Sequence, residues 1–125
     1  MSEESTIDHT SQGSLEEARK EGLRVILPEP KQLLIDIDTE ANLETFNRNY
    51  LLLQELGVDL LGYSSRPSRR KIEGRHITVR LGWKPTVIER IALQAMLGSD
   101  LKREIYSFWR WQTGEAIPTM FFEKP

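Results

Sequence analysis

Leu33-Leu34-Ile35-Asp36-Ile37-Asp38 is an apolar run that closes on two carboxylates. Residues 32–38 therefore read as a mostly apolar β-strand, of the kind found near the centre of a sheet. Behind it, Asp38 or Thr39 can cap a helix that continues to about Leu56. Leu43, Phe46, Tyr50 and Leu53 recur on one face of that helix, and Gly57 ends it. Val58 to Ser65 reads as a second strand, broken by Arg66-Pro67-Ser68. Residues 75–81 alternate cleanly and form a third.

Pro85-Thr86-Val87-Ile88-Glu89 has the form of a capping box opening a helix to Leu97, with Gly98 as its stop. Asp100 reads as the cap of the next helix, from Leu101 to about Gln112. Leu101, Ile105 and Phe108 are expected to point inward, and Gly114 ends the helix. Thr119-Met120-Phe121-Phe122-Glu123 makes a last short strand. Upstream, Leu23 to Leu27 supplies a short extra strand ended by Pro28 and Pro30. Residues 1–13 are polar and read as a disordered tail, and Ser14-Leu15-Glu16-Glu17 is a capping box for a short helix stopped by Gly22. The expected organisation is a flexible acidic tail over residues 1–22, then a single α+β domain over residues 23–125.

The core order β-α-β-β-α-α-β is the split βαβ arrangement of ferredoxin-like and RNA-recognition-type folds, with the second helix doubled. It predicts a four-stranded antiparallel sheet, the first and third strands central, helices on one face and the other face open. Side chains alternate along a strand. Leu33, Ile35 and Ile37 then face the helices, as do Ile77, Val79 and Leu81. Asp36 and Asp38 share the open face with His76, Thr78 and Arg80.

Composition limits the chemistry. The 125 residues are 38% apolar and 29% charged, ordinary for one globular domain. The chain has no cysteine, so disulfides, thiolate metal sites and cysteine nucleophiles are excluded. No apolar run is long enough to span a membrane and the N-terminus lacks a secretory pattern, so cytoplasmic residence without membrane contact is expected. Net charge is −2, yet residues 1–22 carry six acids against Arg19 and Lys20, leaving residues 23–125 at +2. Arg66, Arg69, Arg70, Lys71, Arg75 and Arg80 cluster around one hairpin against the lone acid Glu73. Such a cluster suits phosphate contacts; it equally suits a charged hairpin kept from aggregating.

Two acids at i, i+2 on one face repel unless a cation neutralises them, and Mg²⁺ or Mn²⁺ held by carboxylate oxygens would do so. Asp38 acting only as a helix cap, Asp36 paired across strands with Arg80, and His76 in a structural role are the plainer readings of the same residues. Phe108, Trp109 and Trp111 lie on one helix and read as core and partner packing. Strand positions that stack bases in RNA-recognition domains here hold acids and a histidine, which argues against that function. No phosphate loop ending in Gly-Lys-Ser/Thr is present, and His9 lies in the tail, too far from His76 in the chain's organisation for a paired-histidine metal site.

Ile35-Asp36-Ile37-Asp38 and Gly74-Arg75-His76-Ile77-Thr78-Val79 resemble the first two motifs of archaeo-eukaryotic primases and primase-polymerases. The resemblance covers roughly residues 31–82. It implies that Asp36 and Asp38 bind catalytic Mg²⁺ or Mn²⁺, and that His76 acts in catalysis. It also implies that Ser64, Arg75, His76 and Arg80 contact the phosphates of a nucleoside triphosphate. The segment Ser64-Ser65-Arg66-Pro67-Ser68-Arg69-Arg70-Lys71 stands where the family has a serine- and arginine-rich segment, so Arg66, Arg69, Arg70 and Lys71 are expected along a nucleic-acid backbone. The family's third acid has no secure match, Glu123 and Asp100 being the nearest candidates. Its extra N-terminal module is matched here only by a short polar tail. The expected function is thus a minimal nucleotidyltransferase core, completed where necessary by a protein subunit. The alternative is a non-catalytic module that binds nucleic acid or a protein partner.

Overall fold

The computed structural model describes residues 20, 22–67 and 74–123, so the tail helix expected at Ser14 and the cations Arg69, Arg70 and Lys71 lie outside the described residues. Strand β1 is Arg24–Ile26, β2 is Gln32–Ile37, and helix α1 is Glu40–Glu55. They are followed by β3 at Leu60–Pro67, β4 at Arg75–Leu81, α2 at Val87–Met96, α3 at Leu101–Gln112 and β5 at Phe121–Glu123. The α+β class and the element order are those expected from the sequence.

The local signals behave as their chemistry dictates. Thr39, not Asp38, caps α1, its Oγ1 accepting from Asn42 N–H at 3.2 Å. Thr86 and Glu89 form the reciprocal capping box of α2, with bonds of 3.1 and 2.9 Å. Phe46 and Tyr50 of α1 pack with Leu93 and Leu97 against Leu33, Ile35, Ile37, Ile77, Val79 and Leu81. Each such side chain, fully buried, contributes roughly 1.5–3 kcal/mol, which makes this the principal core.

The sheet itself departs from the four-stranded expectation. Three strands run in the order β2-β4-β3, all antiparallel, while β1 and β5 pair separately in a two-stranded sheet. In the split βαβ arrangement the last strand would lie beside β2 and make it central. Here β4 is central and β2 is an edge. The outer edge of β2 is occupied by side chains instead. Gln94 Oε1 accepts from Leu34 N–H at 2.9 Å, and Ser99 Oγ accepts from Asp36 N–H at 3.0 Å. Arg90 Nε donates to Gln32 O at 2.9 Å, Arg103 Nη1 donates to Leu34 O at 2.5 Å, and Asp100 N–H donates to Asp36 O at 2.6 Å. Every outward backbone group from Gln32 O to Asp36 O is thereby satisfied without a strand.

A polar cluster backs this edge. Glu104, 2% exposed, accepts from Gln94 Nε2 at 2.8 Å, Ser99 Oγ at 2.7 Å and Arg103 Nη1 at 2.5 Å. The C-terminal segment is attached to the same cluster through Arg103 Nη2 to Met120 O at 3.1 Å and Gln94 Nε2 to Thr119 Oγ1 at 3.3 Å. It then crosses over the sheet face that was expected to be open. Leu34 and His76 are 1% and 6% exposed beneath it.

Two further expectations are corrected. Leu101, Ile105 and Phe108 of α3 face outward, because the inward stripe of that helix is polar, made of Glu104, Ser107 and Arg110. The second strand runs on through Arg66-Pro67 because β3 is an edge, where a proline without an N–H is tolerated.

Replacing Gln94 by Leu strands the buried Leu34 N–H and removes donors to Glu104 and Thr119. A loss of about 3 kcal/mol is expected in urea unfolding, with faster hydrogen exchange at Leu34. A loss below about 0.5 kcal/mol would mean the edge is held by something else.

Candidate functional site

The antiparallel register groups the face residues into rows. Asp36, His76 and Arg66 stand directly opposite one another across β2, β4 and β3. Ser64 is in the next row, opposite Thr78 and Leu34. Arg80 is two rows away, opposite Gln32 and Gly62. Four residues of strand put Arg80 about 13 Å from His76, so the expected Asp36–Arg80 pair does not form. Its guanidinium instead lies over Gly62 and donates to Leu61 O at 3.3 Å; a Cβ on Gly62 would sit 2.8 Å from Arg80 Nη2. Arg75 stands opposite Ile37, on the other face of the sheet from His76, and is exposed.

β5 completes the row. Phe121 stacks on the His76 ring, centroids 4.0 Å apart and planes within 4°. Glu123 Oε2 lies 2.9 Å from His76 Nδ1 and 3.0 Å from Arg66 Nη2. An ionised carboxylate can only accept, so this contact places the hydrogen on Nδ1. In the neutral ring the lone pair is then on Nε2, which lies 3.7 Å from Asp36 Oδ1. Glu123, weighed in the sequence only as a loosely matched acid, is the group that orients the histidine.

Asp36 is the strained member of the set. Burial pushes its carboxyl above the ordinary 3.8, Asp38 and Asp100 push it further up, and Arg103 and His76 oppose the rise. Asp38 follows directly on β2, and capping of α1 is left to Thr39. Asp100 stands at the N-cap of α3 without a side-chain capping bond. Three carboxylates thus converge electrostatically at the end of β2, with Asp36 largely buried among them. Among the described residues no three His, Cys, Asp or Glu side chains form a cage that could hold an ion by protein donors alone.

The structure therefore unites Asp36, Asp38, His76 and Arg66, adds Glu123 and Asp100, and separates Arg75 and Arg80 from them. Missed altogether in the sequence were Gln94, Ser99, Arg103 and Glu104, which hold the site strand in place. Gln94, Arg103 and Glu104 lie on polar stripes of the two amphipathic helices, and Ser99 lies in the turn between them. Comparisons with protein-family models, curated proteins and solved structures find no match to this chain.

An acid whose folded value is raised holds its proton more tightly in the folded state. Its contribution to stability is present below the unfolded value and lost as pH rises through the folded one. In metal-free buffer, Asp36→Asn is accordingly expected to raise the unfolding midpoint at pH 7. The gain should vanish below about pH 3.8, the ordinary value from which Asp36 is shifted. Thermal unfolding across pH 3–8 checks this, and a variant less stable than the parent at pH 7 would contradict it.

Proposed function

We propose that the end of β2 binds a divalent cation together with the phosphates of a nucleotide, as the core of a nucleotidyl-transfer site of the primase-polymerase kind. One observation carries the reading. A partly buried, charge-stressed Asp36 abuts a histidine whose other nitrogen is already fixed by Glu123. Carboxylate-held histidines of this kind present their remaining nitrogen in a set direction.

Asp36 and Asp38 are a sparse donor set, and Mg²⁺ or Mn²⁺ suits it. Mg²⁺ keeps several waters and takes its other oxygens from substrate phosphates rather than from a protein cage. When bound, such a cation would supply Lewis-acid stabilisation of the phosphoryl oxygens. The residues do the rest. Asp36 and Asp38 fix the position of the charge, and relief of their mutual repulsion favours binding. With Nδ1–H kept on Glu123, the imidazolium form of His76 would donate Nε2–H to a phosphate oxygen beside Asp36. Arg66, with one of its five N–H groups on Glu123 and its side chain half exposed, keeps donors for a second phosphate. Arg69, Arg70 and Lys71 are proposed to follow the nucleic-acid backbone. Arg75 and Arg80 have no part in this version.

One observation favours a second reading, a module that binds nucleic acid or a protein partner without turnover. His76 is 6% exposed and sandwiched under Phe121, so a ligand reaches its ring only if β1 and β5 shift.

Mn²⁺ titration followed by NMR separates the readings. With a nucleoside triphosphate present, the amides of Asp36, Asp38 and His76 should broaden first, and Asp36→Asn should abolish the effect. Primer extension should fall by about 100-fold or more in the same variant, the scale of losing a metal-holding group. Localised broadening without extension would leave the binding module; no localised broadening at about 5 mM metal, above the usual range for Mg²⁺-type sites, would end the metal proposal.

A further inference from the structure

Helix α3 is amphipathic in the reverse sense for a monomer. Its buried positions are Glu104, Ser107 and Arg110, and Glu104 is held in the polar cluster that seals β2. Its outward positions Leu101, Ile105, Phe108 and Trp109 follow the i, i+4, i+7, i+8 spacing of a core-facing stripe. Their exposures are 64%, 56%, 41% and 41%. Trp111 extends the stripe, its ring 5.8 Å from that of Phe108 and 38% exposed. Together these side chains present roughly 450 Å² of apolar surface on one short helix, within the about 300–600 Å² of the largest patch on a typical monomer, a size that often marks an interaction site.

We infer that this face is covered by the same face of a second copy, α3 packing antiparallel on α3 about a two-fold axis between residues 106 and 107. A two-fold interface must be self-complementary, and the stripe is built for that. Its N-terminal half is aliphatic, with Leu101 and Ile105, and its C-terminal half aromatic, with Phe108, Trp109 and Trp111. Antiparallel pairing sets the bulky half of each copy over the slender half of the other.

Charge agrees with this pairing. Lys102 and Gln112 are the polar residues exposed on α3, and no acid is exposed there. The two Lys102 groups lie near opposite ends of the 12-residue helix pair, about 14 Å apart along its axis. Each faces the aromatic end of the other copy, an arrangement suited to cation–π contact. A net charge of −2 offers little long-range opposition to self-association. Two stripes bury roughly 900 Å², and the flanking Lys102, Tyr106 and Gln112 bring the contact toward the ~1,200 Å² at which specific interfaces begin. Because Asp100 precedes α3, the pairing leaves the two Asp36 sites at opposite ends of the interface.

Sedimentation velocity of the full chain from about 1 to 200 µM tests this, the range covering micromolar dimers. The parent chain should sediment as a dimer at tens of micromolar. Ile105→Glu and, independently, Trp109→Lys should each weaken association by about 100-fold while circular dichroism stays unchanged. Leu52→Glu on α1, another half-exposed leucine, should leave the dimer intact. A parent chain that is monomeric at 200 µM would overturn the inference. So would a dimer that persists in both α3 variants, or one lost in Leu52→Glu.

Discussion

A β-strand with an unpaired edge must satisfy its outward N–H and C=O groups or stay in water. In this protein that requirement falls on β2, the strand that carries Asp36, and it is met by side chains. Arg90, Gln94, Ser99 and Arg103, with the backbone of Asp100, take the places that a fourth strand would have filled. The remaining architecture follows from this. β5 cannot pair with β2, so it pairs with β1, and the two cross the face of the sheet instead of extending it. Glu123 and Phe121 thereby reach His76. The arrangement also fixes α3 with its polar side inward, since Glu104 is the acceptor that holds Gln94, Ser99 and Arg103 in position.

Site and fold are linked most closely at Asp36. Its backbone is clamped at both N–H and C=O, while its partly buried carboxyl lies near two other aspartates with Arg103 and His76 in opposition. Local electrostatics of this kind weaken the folded state, and perturbed carboxylates cluster at functional sites as well as in structural ion-pair networks. His76 is held as closely. Its ring is buried under Phe121, and its Nδ1 is tied to a carboxylate that also holds Arg66.

Local structure was legible in the sequence because its signals are local. The Thr86–Glu89 capping box, the Leu43–Phe46–Tyr50–Leu53 face and the alternation of residues 75–81 each depend on neighbours a few residues away. Alternation also placed Asp36 and His76 on one face, and the register makes them direct partners. What failed was partner choice at long range. Strand period says which side chains share a face but not which strand lies alongside, so Arg80 was set with Asp36 when it is two rows distant. Helix period has the same ambiguity. It finds two stripes on α3 and cannot say which is buried, and a polar interior was the unexpected choice. The covering of the face by β5 was invisible for a related reason: Glu123 is 47 residues from His76, and nothing local marks the pair.

The central claim is that Glu123 holds His76 so that Nε2 faces Asp36. Long-range ¹H–¹⁵N correlation of the imidazole, taken where the ring is neutral, tests it most directly. The account predicts a protonated Nδ1 and a lone-pair Nε2, reversing to the usual Nε2–H form in Glu123→Leu, which has no acceptor. An Nε2–H ring in the parent protein, or a spectrum indifferent to Glu123→Leu, would contradict it.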